Sequence, residues 1–353
     1  MDRRSETISK ISAKLTNSNP ILTPLSDIVT FSDLFCGIGG FHYAANQLGL
    51  KCVFACDVDQ ACREQYKHNF GIEPASDIKL VRAEDVPDHD VLFAGFPCQP
   101  FSIIGDRKGL NDRRGTLYHE ILRIVNVKKP KALVLENVRQ FATNSNGRAL
   151  NAVLVSLCDL GYSCQWKVLN ALDFGLPQKR ERVIMVGLRR PGVMELFEWP
   201  KPLQDYKPLA DLLEKNPARK HFASERIQKK RLSRHTPKTS PAIWHENKGG
   251  NVSSYPFSCA LRANASHNYL LVDGKRRLTP REQLRLQGFP ESFEVIGSDS
   301  QIRKQVGNAV PIPMIKSVVE GVLSAHSQIK RRNRVTSTLS SRRVHERDSS
   351  VHL

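Results

Sequence analysis

At 353 residues, 40% hydrophobic and 25% charged, the chain has the make-up of an ordinary globular enzyme, with room for one large domain and a smaller one. It contains no apolar run of about 18 residues, no secretory-signal pattern in residues 1–26 and no C-x-x-C pair among its eight cysteines, so a membrane span, secretion, a disulfide framework and a zinc site are not expected. The formal charge of +18 favours a polyanionic partner, most often nucleic acid.

Residues 1–28 read as a polar extension. From Ile28 onward, short apolar runs alternate with helical ones, the pattern of βαβ units around a parallel sheet. Strands are expected at 29–35, 51–56, 91–94, 131–135, 163–169 and 182–188, and helices at 41–48, 60–70, 116–127 and 148–160. After Arg190, seven prolines between 191 and 241 end the alternation. Residues 29–190 are therefore expected to form the larger domain and 191–300 a smaller, irregular one. The segment 301–325 holds an expected helix at 306–323, and the basic, Ser/Arg-rich residues 326–353 read as a disordered tail. Two basic runs stand out. Residues 219–238 hold eight Lys/Arg against one Glu and suit phosphate contacts, whereas 330–348, with seven against two acids, reads as a solvated tail.

Several polar segments fall just past expected strands. Asp-Leu-Phe-Cys-Gly-Ile-Gly-Gly at 33–40 is a glycine turn opening a helix, whose free N–H groups and lack of side chains let a ligand approach the backbone. Asp57 ends the next strand twenty residues after Gly37, where a carboxylate can grip ribose hydroxyls. Together they point to an adenosine-containing ligand; the departure from G-x-G-x-x-G suits one without a pyrophosphate. Gly-Phe-Pro-Cys-Gln-Pro-Phe-Ser at 95–102 sets Cys98 between two prolines in a rigid turn, as a candidate nucleophile. The other seven cysteines have the apolar settings of buried thiols. Residues 103–115, with three glycines and with Arg107, Lys108, Arg113 and Arg114, suit a basic lid. Glu136 ends an apolar strand, where an acid is costly unless it is bonded or has work to do. Gln178-Lys179-Arg180-Glu181-Arg182 places two arginines on one side of an extended segment.

Taken in order, these segments resemble the signature blocks of bacterial cytosine-C5 DNA methyltransferases of restriction-modification type. The matching blocks are 33–41, 95–102, 136–138, 178–183, 277–290 and 305–311, and the resemblance covers about 29–325. Cys36, where Ala is more usual, and Asp57, where Glu is, depart from the pattern without removing its chemistry. The resemblance implies a Rossmann-like, mainly parallel α/β methyltransferase domain, a smaller target-recognition domain, and a DNA cleft between them. It also implies that 301–325 returns to the cofactor domain. S-adenosyl-L-methionine would be the methyl donor, with no metal, held by Phe35, Gly37, Gly39, Asp57, Val58, Asp77, Ile78 and Asn308. Cys98 would add to C6 of a flipped cytosine, with Glu136, Arg180 and Arg182 around the base.

Within 191–300, Arg262 and Lys248 are candidate DNA contacts, Arg262 for guanine, with Arg107 and Arg113 contacting DNA from the lid. The resemblance further implies a cytoplasmic, monomeric bacterial enzyme acting on double-stranded DNA, with a cognate restriction endonuclease reading the same site. An RNA cytosine methyltransferase and a catalytically dead DNA-binding regulator are the competing readings. Methyl incorporation into duplex DNA against tRNA separates the first, and adduct trapping on 5-fluorocytosine the second.

Overall fold

A computed structural model describes the chain over residues 28–97 and 117–348. The larger part is built on β1 (Thr30–Leu34), β2 (Lys51–Cys56), β3 (Val91–Gly95), β4 (Ala132–Val138), β5 (Ser163–Asn170) and, after a two-residue β6 (Gln178–Lys179), β7 (Glu181–Leu188). Six of these form one sheet in the order β2-β1-β3-β4-β7-β5. β1 to β4 run parallel, and β7 runs against both β4 and β5. The expected parallel sheet is thus mainly parallel. Hydrophobic periodicity carries no direction, and the short link from Asn170 to Glu181 permits an antiparallel return where a parallel one needs a longer crossover.

Strand side chains alternate between the two faces of the sheet, and the core divides accordingly. Val91, Phe93, Val134, Ile184 and Val186 join one buried cluster, while Leu92, Ala94, Leu133, Leu135 and Met185 join the other. The first cluster is covered by α1 (Gly40–Asn46) and α2 (Gln60–Phe70), the second by α3 (Leu117–Lys128) and α4 (Arg148–Asp159). Helix α2 starts on a side-chain cap, Asp59, and stops at Gly71 in the left-handed region, which explains why its bounds are legible in sequence.

The rest of the chain adds α5 (Glu225–Leu232), β8 (Ile243–Glu246), β9 (Val252–Tyr255), β10 (Ser258–Cys259), β11 (Leu270–Val272), α6 (Pro280–Gln287), α7 (Asp299–Asn308) and α8 (Ile312–Asp348). β8, β9 and β11 form an antiparallel sheet, and β10 pairs with β6. Ile243, Leu270 and Leu278 of this smaller region belong to the same buried cluster as α1, so the two regions share a core.

The single helix expected at 306–323 is two helices, because Pro311 interrupts it after α7. Helix α8 then returns to the sheet, burying Ile315, Val318, Val319 and Val322 completely. It runs on through Asp348 in place of the expected disordered tail: no proline follows Pro313 and no glycine follows Gly321 to break it. The stretch Asp299–Arg332 contains an 18-residue window apolar enough to cross a membrane, but 61% of that window is buried inside the protein, as suits a core helix.

One buried carboxylate fixes the start of α6. Glu282, fully buried, receives both terminal nitrogens of Arg276 at 2.8 Å, the Thr279 N–H at 2.8 Å and the Glu214 N–H at 2.8 Å. Thr279 completes the capping box, and Pro280 occupies the first turn. Truncating one partner of a buried pair leaves the other charge uncompensated. Glu282→Ala is therefore expected to lower stability by about 3–5 kcal/mol, read as a fall in the urea midpoint.

Candidate active site

Past the carboxyl end of β1, Phe35 (φ 56°), Gly37 (φ 53°) and Gly39 (φ 85°) all take left-handed backbone conformations. Glycine adopts these freely, whereas Phe35 carries strain of the kind found at ligand sites. A Cβ on Gly40 would meet Val310 Cγ2 at 2.8 Å, so the C-terminal segment is pressed against the turn. Nothing lies within 4 Å of a Cβ placed on Gly37, which leaves that face open among the described residues.

Asp57 accepts the Gly37 N–H on one carboxylate oxygen at 2.8 Å and the Asp59 N–H on the other at 2.8 Å. Burial pushes its carboxyl above the usual range, and these two donors pull it back. Each oxygen keeps a lone pair for a further donor. Val58 beside it is 75% exposed, an apolar surface at the strand end. The Asp57 N–H donates to Ala75 O at 3.0 Å, drawing in Asp77, whose Oδ1 accepts the Lys79 N–H, and the buried Ile78. Lys304 of α7 pairs with Asp59 at 2.7 Å, and Asn308 follows one turn later on the same helix face, exposed. The eight residues expected around an adenosyl donor come from four separated segments, and these contacts gather the segments at the carboxyl edge of the sheet. A carboxylate for ribose hydroxyls, an exposed apolar face and an open glycine turn fit such a ligand.

Beside this lies the second polar group. Glu136 sits within β4, which reaches Val138, and not past the strand end as expected. It stands in register with Gly95, and its Oε1 accepts from Arg182 Nε at 2.7 Å, with side-chain exposures of 10% and 12%. Asn137, buried next to it, donates from Nδ2 to Phe96 O at 3.0 Å and accepts the Val138 N–H at 2.9 Å. Cys98, two residues beyond Phe96, lies outside the described residues, as do Arg107 and Arg113.

The two arginines expected around the base are separated in role. Arg180 falls in the break between β6 and β7 and is 1% exposed. Its Nη1 donates to Leu261 O at 2.8 Å, and its Nη2 to Gly307 O at 3.0 Å and Ala309 O at 2.7 Å. Burial and the nearby Arg182 both act against its charge, while Glu136 supports it. Gln178 does parallel work: its Nε2 donates to Leu286 O and its Oε1 accepts the Leu261 N–H at 3.0 Å. Both residues join the sheet to the smaller region. Alternation along an extended segment suggests one shared side; the strand break at Arg180 is what sends the two guanidinium groups to different partners.

In the smaller region, the Arg262 guanidinium lies 4.9 Å from the Tyr269 ring centroid, and Tyr269 Oη accepts the Arg262 N–H at 2.9 Å. Arg262 lines a cavity with His267, Arg277, Arg303 and Lys220, the last paired with Asp299 at 2.8 Å. Lys248 is exposed at the tip of the β8–β9 hairpin. Arg231, part of the basic run expected to contact phosphates, is instead 1% exposed and bonded to Glu246 and Asn268 O.

Sequence reasoning passed over Asn137, Lys304 and Gly307. A Cβ on Gly307 would overlap Ala263 N and lie 2.8 Å from Ala263 Cα, so only glycine allows α7 this close to the 262–263 backbone. A glycine inside a helix, next to Asn308, was the available signal.

Residues 29–324 match the family model described as C-5 cytosine-specific DNA methylase. The chain is 49% identical over 289 residues to the Type II methyltransferase M.NgoBI of Neisseria gonorrhoeae, covering 81% of this chain and 90% of that protein. It is 46% identical over 304 residues to M.HaeII of Haemophilus aegyptius, covering 85% and 94%. The methyltransferase EhMeth of Entamoeba histolytica superposes with a TM-score of 0.67 over 84% of this chain and 98% of that one; at 17% identity this speaks for the fold alone. With a domain-wide match and relatives near half identity, the chain belongs to the C-5 cytosine-specific DNA methylase family.

Proposed function

We propose that Cys98, Glu136 and Arg182 carry the reaction of this DNA cytosine-C5 methyltransferase, and that Asp57, Val58, Asp77 and Asn308 help hold its methyl donor. The observation that carries this reading is the buried Glu136–Arg182 pair, in register with Gly95 three residues before Cys98 and at the same sheet edge as the glycine turn.

Cytosine C5 is a weak nucleophile in an aromatic ring. Addition of the Cys98 thiolate to C6 forms the S–C6 bond and gives C5 enamine character. Glu136 faces N3 and shares a proton with it, neutralising the charge that develops on the ring. Arg182 holds Glu136 in place and stabilises the O2 side. S-adenosylmethionine, when bound, supplies the methyl group that the activated C5 accepts. A base then takes the C5 proton, and the S–C6 bond breaks to restore the ring and release Cys98. None of these groups reaches a stacked base, so the cytosine leaves the duplex, at a cost of a few kcal/mol.

Arg180 does not touch the base in this reading. It positions Leu261 and Gly307, and hence the recognition region and Asn308, against the catalytic edge. Arg262, in its cation-lined cavity, and Lys248 supply contacts to the duplex. The reading extends to a monomer working in a Type II setting, where a cognate endonuclease cuts the same site when it is unmethylated.

Cys98→Ser is expected to abolish methyl transfer and covalent capture on 5-fluorocytosine duplexes while leaving donor binding nearly intact by calorimetry. Retained transfer would refute the nucleophile. Glu136→Gln should lower kcat by about 10²–10⁴-fold without loss of folding. The two arginines should divide in their effect on the reaction: Arg182→Gln is expected to lower kcat directly and, by leaving the buried Glu136 carboxylate without its cation, to lower the denaturation midpoint as well. Arg180→Met, which takes this donor from the Leu261 and Gly307 carbonyls and leaves Ala309 O to Gln287 alone, should lower stability by about 3 kcal/mol or more.

A further inference from the structure

Arg63 lies in the first turn of α2, where the helix dipole disfavours a cation, so helix stability does not account for its place. Half-buried, it reaches back over the end of β2. Its Nη1 donates to Asp57 O at 2.9 Å and to Val58 O at 3.0 Å. These are the first two carbonyls past the strand, which stops at Cys56. One guanidinium nitrogen thereby holds two successive peptide groups in the turn from β2 into α2.

The same turn is tied at its other atoms. Asp59 accepts the Ala61 and Cys62 N–H groups on one oxygen and meets Lys304 of α7 with the other at 2.7 Å. The Asp57 carboxylate accepts the Gly37 and Asp59 N–H groups. Those two donors set the side chain of residue 57, whereas Arg63 sets its backbone. An aspartate has one side-chain torsion fewer than a glutamate, so its carboxylate goes where its backbone goes. Charge works in the same direction. Burial raises the Asp57 carboxyl, the Asp59 and Gly37 N–H groups lower it, and Arg63 lowers it further, toward the ionised form that accepts hydrogen bonds more strongly.

We propose that Arg63 is a positioning residue for the methyl donor: by gripping the Asp57 and Val58 carbonyls it fixes where the Asp57 carboxylate points, and so how tightly the ribose hydroxyls are held. It acts through Asp57 and not by contact with the donor. Two neutral-acceptor bonds to a half-buried guanidinium are enough to set such a preference, because a carboxylate that swings loses the second of two hydroxyls first. The inference rests on the reading of Asp57 as the carboxylate for the ribose, and is independent of the roles given to Cys98 and Glu136.

The test is calorimetric binding, to the full chain without DNA, of the demethylated donor S-adenosylhomocysteine and of its 2′-deoxyribose analogue. The native protein should prefer the ribose form. Arg63→Ala should weaken binding of the ribose form by about tenfold and of the analogue by much less, so that the preference falls toward one. Arg63→Lys, whose single nitrogen can meet both carbonyls as Nη1 does, should keep most of the preference. Where the urea midpoint shows that Arg63→Ala does not fold, Arg63→Gln is read in the same way. Equal weakening of both ligands overturns the proposal, since it marks a general loosening, and so does unchanged binding of both. Asp57→Ala separates the two ways of failing. An unchanged preference there removes Asp57 as the ribose carboxylate and the proposal with it. A preference lost in Asp57→Ala but kept in Arg63→Ala removes Arg63 alone.

Discussion

A buried guanidinium without a carboxylate partner within bonding distance among the described residues ties together the distant parts of this molecule. Arg180 spends its charge on three backbone carbonyls, one from the smaller region at Leu261 and two from the C-terminal block at Gly307 and Ala309. Such a charge is costly to desolvate and is tolerated only where several oxygens converge on it. The convergence is itself the useful property, because it exists only when three distant segments are in place together. Gln178 and Gln287 work at the same junction, the latter donating to Val306 O and Ala309 O. A neutral side chain could fill the space, but it could not demand that geometry.

Placed this way, the junction fixes what the sheet edge can do. Carboxyl ends of β1, β2, β3 and β4 bring the glycine turn, Asp57, the Phe96 carbonyl and Glu136 to one edge, as parallel strands must. Asn308 comes from the far end of the chain, and α8 anchors that end by burying an apolar face against the sheet. Lys304 reaching Asp59 and Gly307 admitting the 262–263 backbone are two contacts that seat α7 between the carboxyl edge of the sheet and the smaller region. The smaller region shares its core with the larger one, so the two make one packed body.

Much of this was readable before any coordinates. β2 and α2 keep the bounds their periodicity and caps suggest, and the glycine turn with Asp57 sits where that spacing places it. What failed depends on partners remote in sequence. Glu136 looked like a residue just beyond a strand because an acid seldom continues a buried one; pairing with Arg182, forty-six residues on, lets β4 run through it. Arg180 and Arg182 share a motif and a charge, and nothing local says that one meets a carboxylate and the other carbonyls. Arg231 likewise sits in a run that looks solvent-facing, yet Glu246 and Asn268 draw it inward. The length of α8 was hidden by composition: serine and arginine suggest disorder, whereas the absence of proline and glycine permits a helix.

The charges divide by environment into two kinds of work. Those at the carboxyl edge of the sheet are buried or half-buried and met within the protein: Glu136 by Arg182, Asp57 by two backbone N–H groups, Arg180 by carbonyls. Little of their field is screened by salt. The chain's large positive excess lies elsewhere, on exposed groups such as Lys248, Arg189 and Arg331. Such groups attract a polyanion over a distance but lose that hold as salt rises. Had the excess been concentrated at the reacting edge, repulsion would have opposed Arg180 and Arg182 lying close together. Keeping it outside leaves the buried contacts of the sheet edge undisturbed, while the exposed cations favour a polyanionic partner.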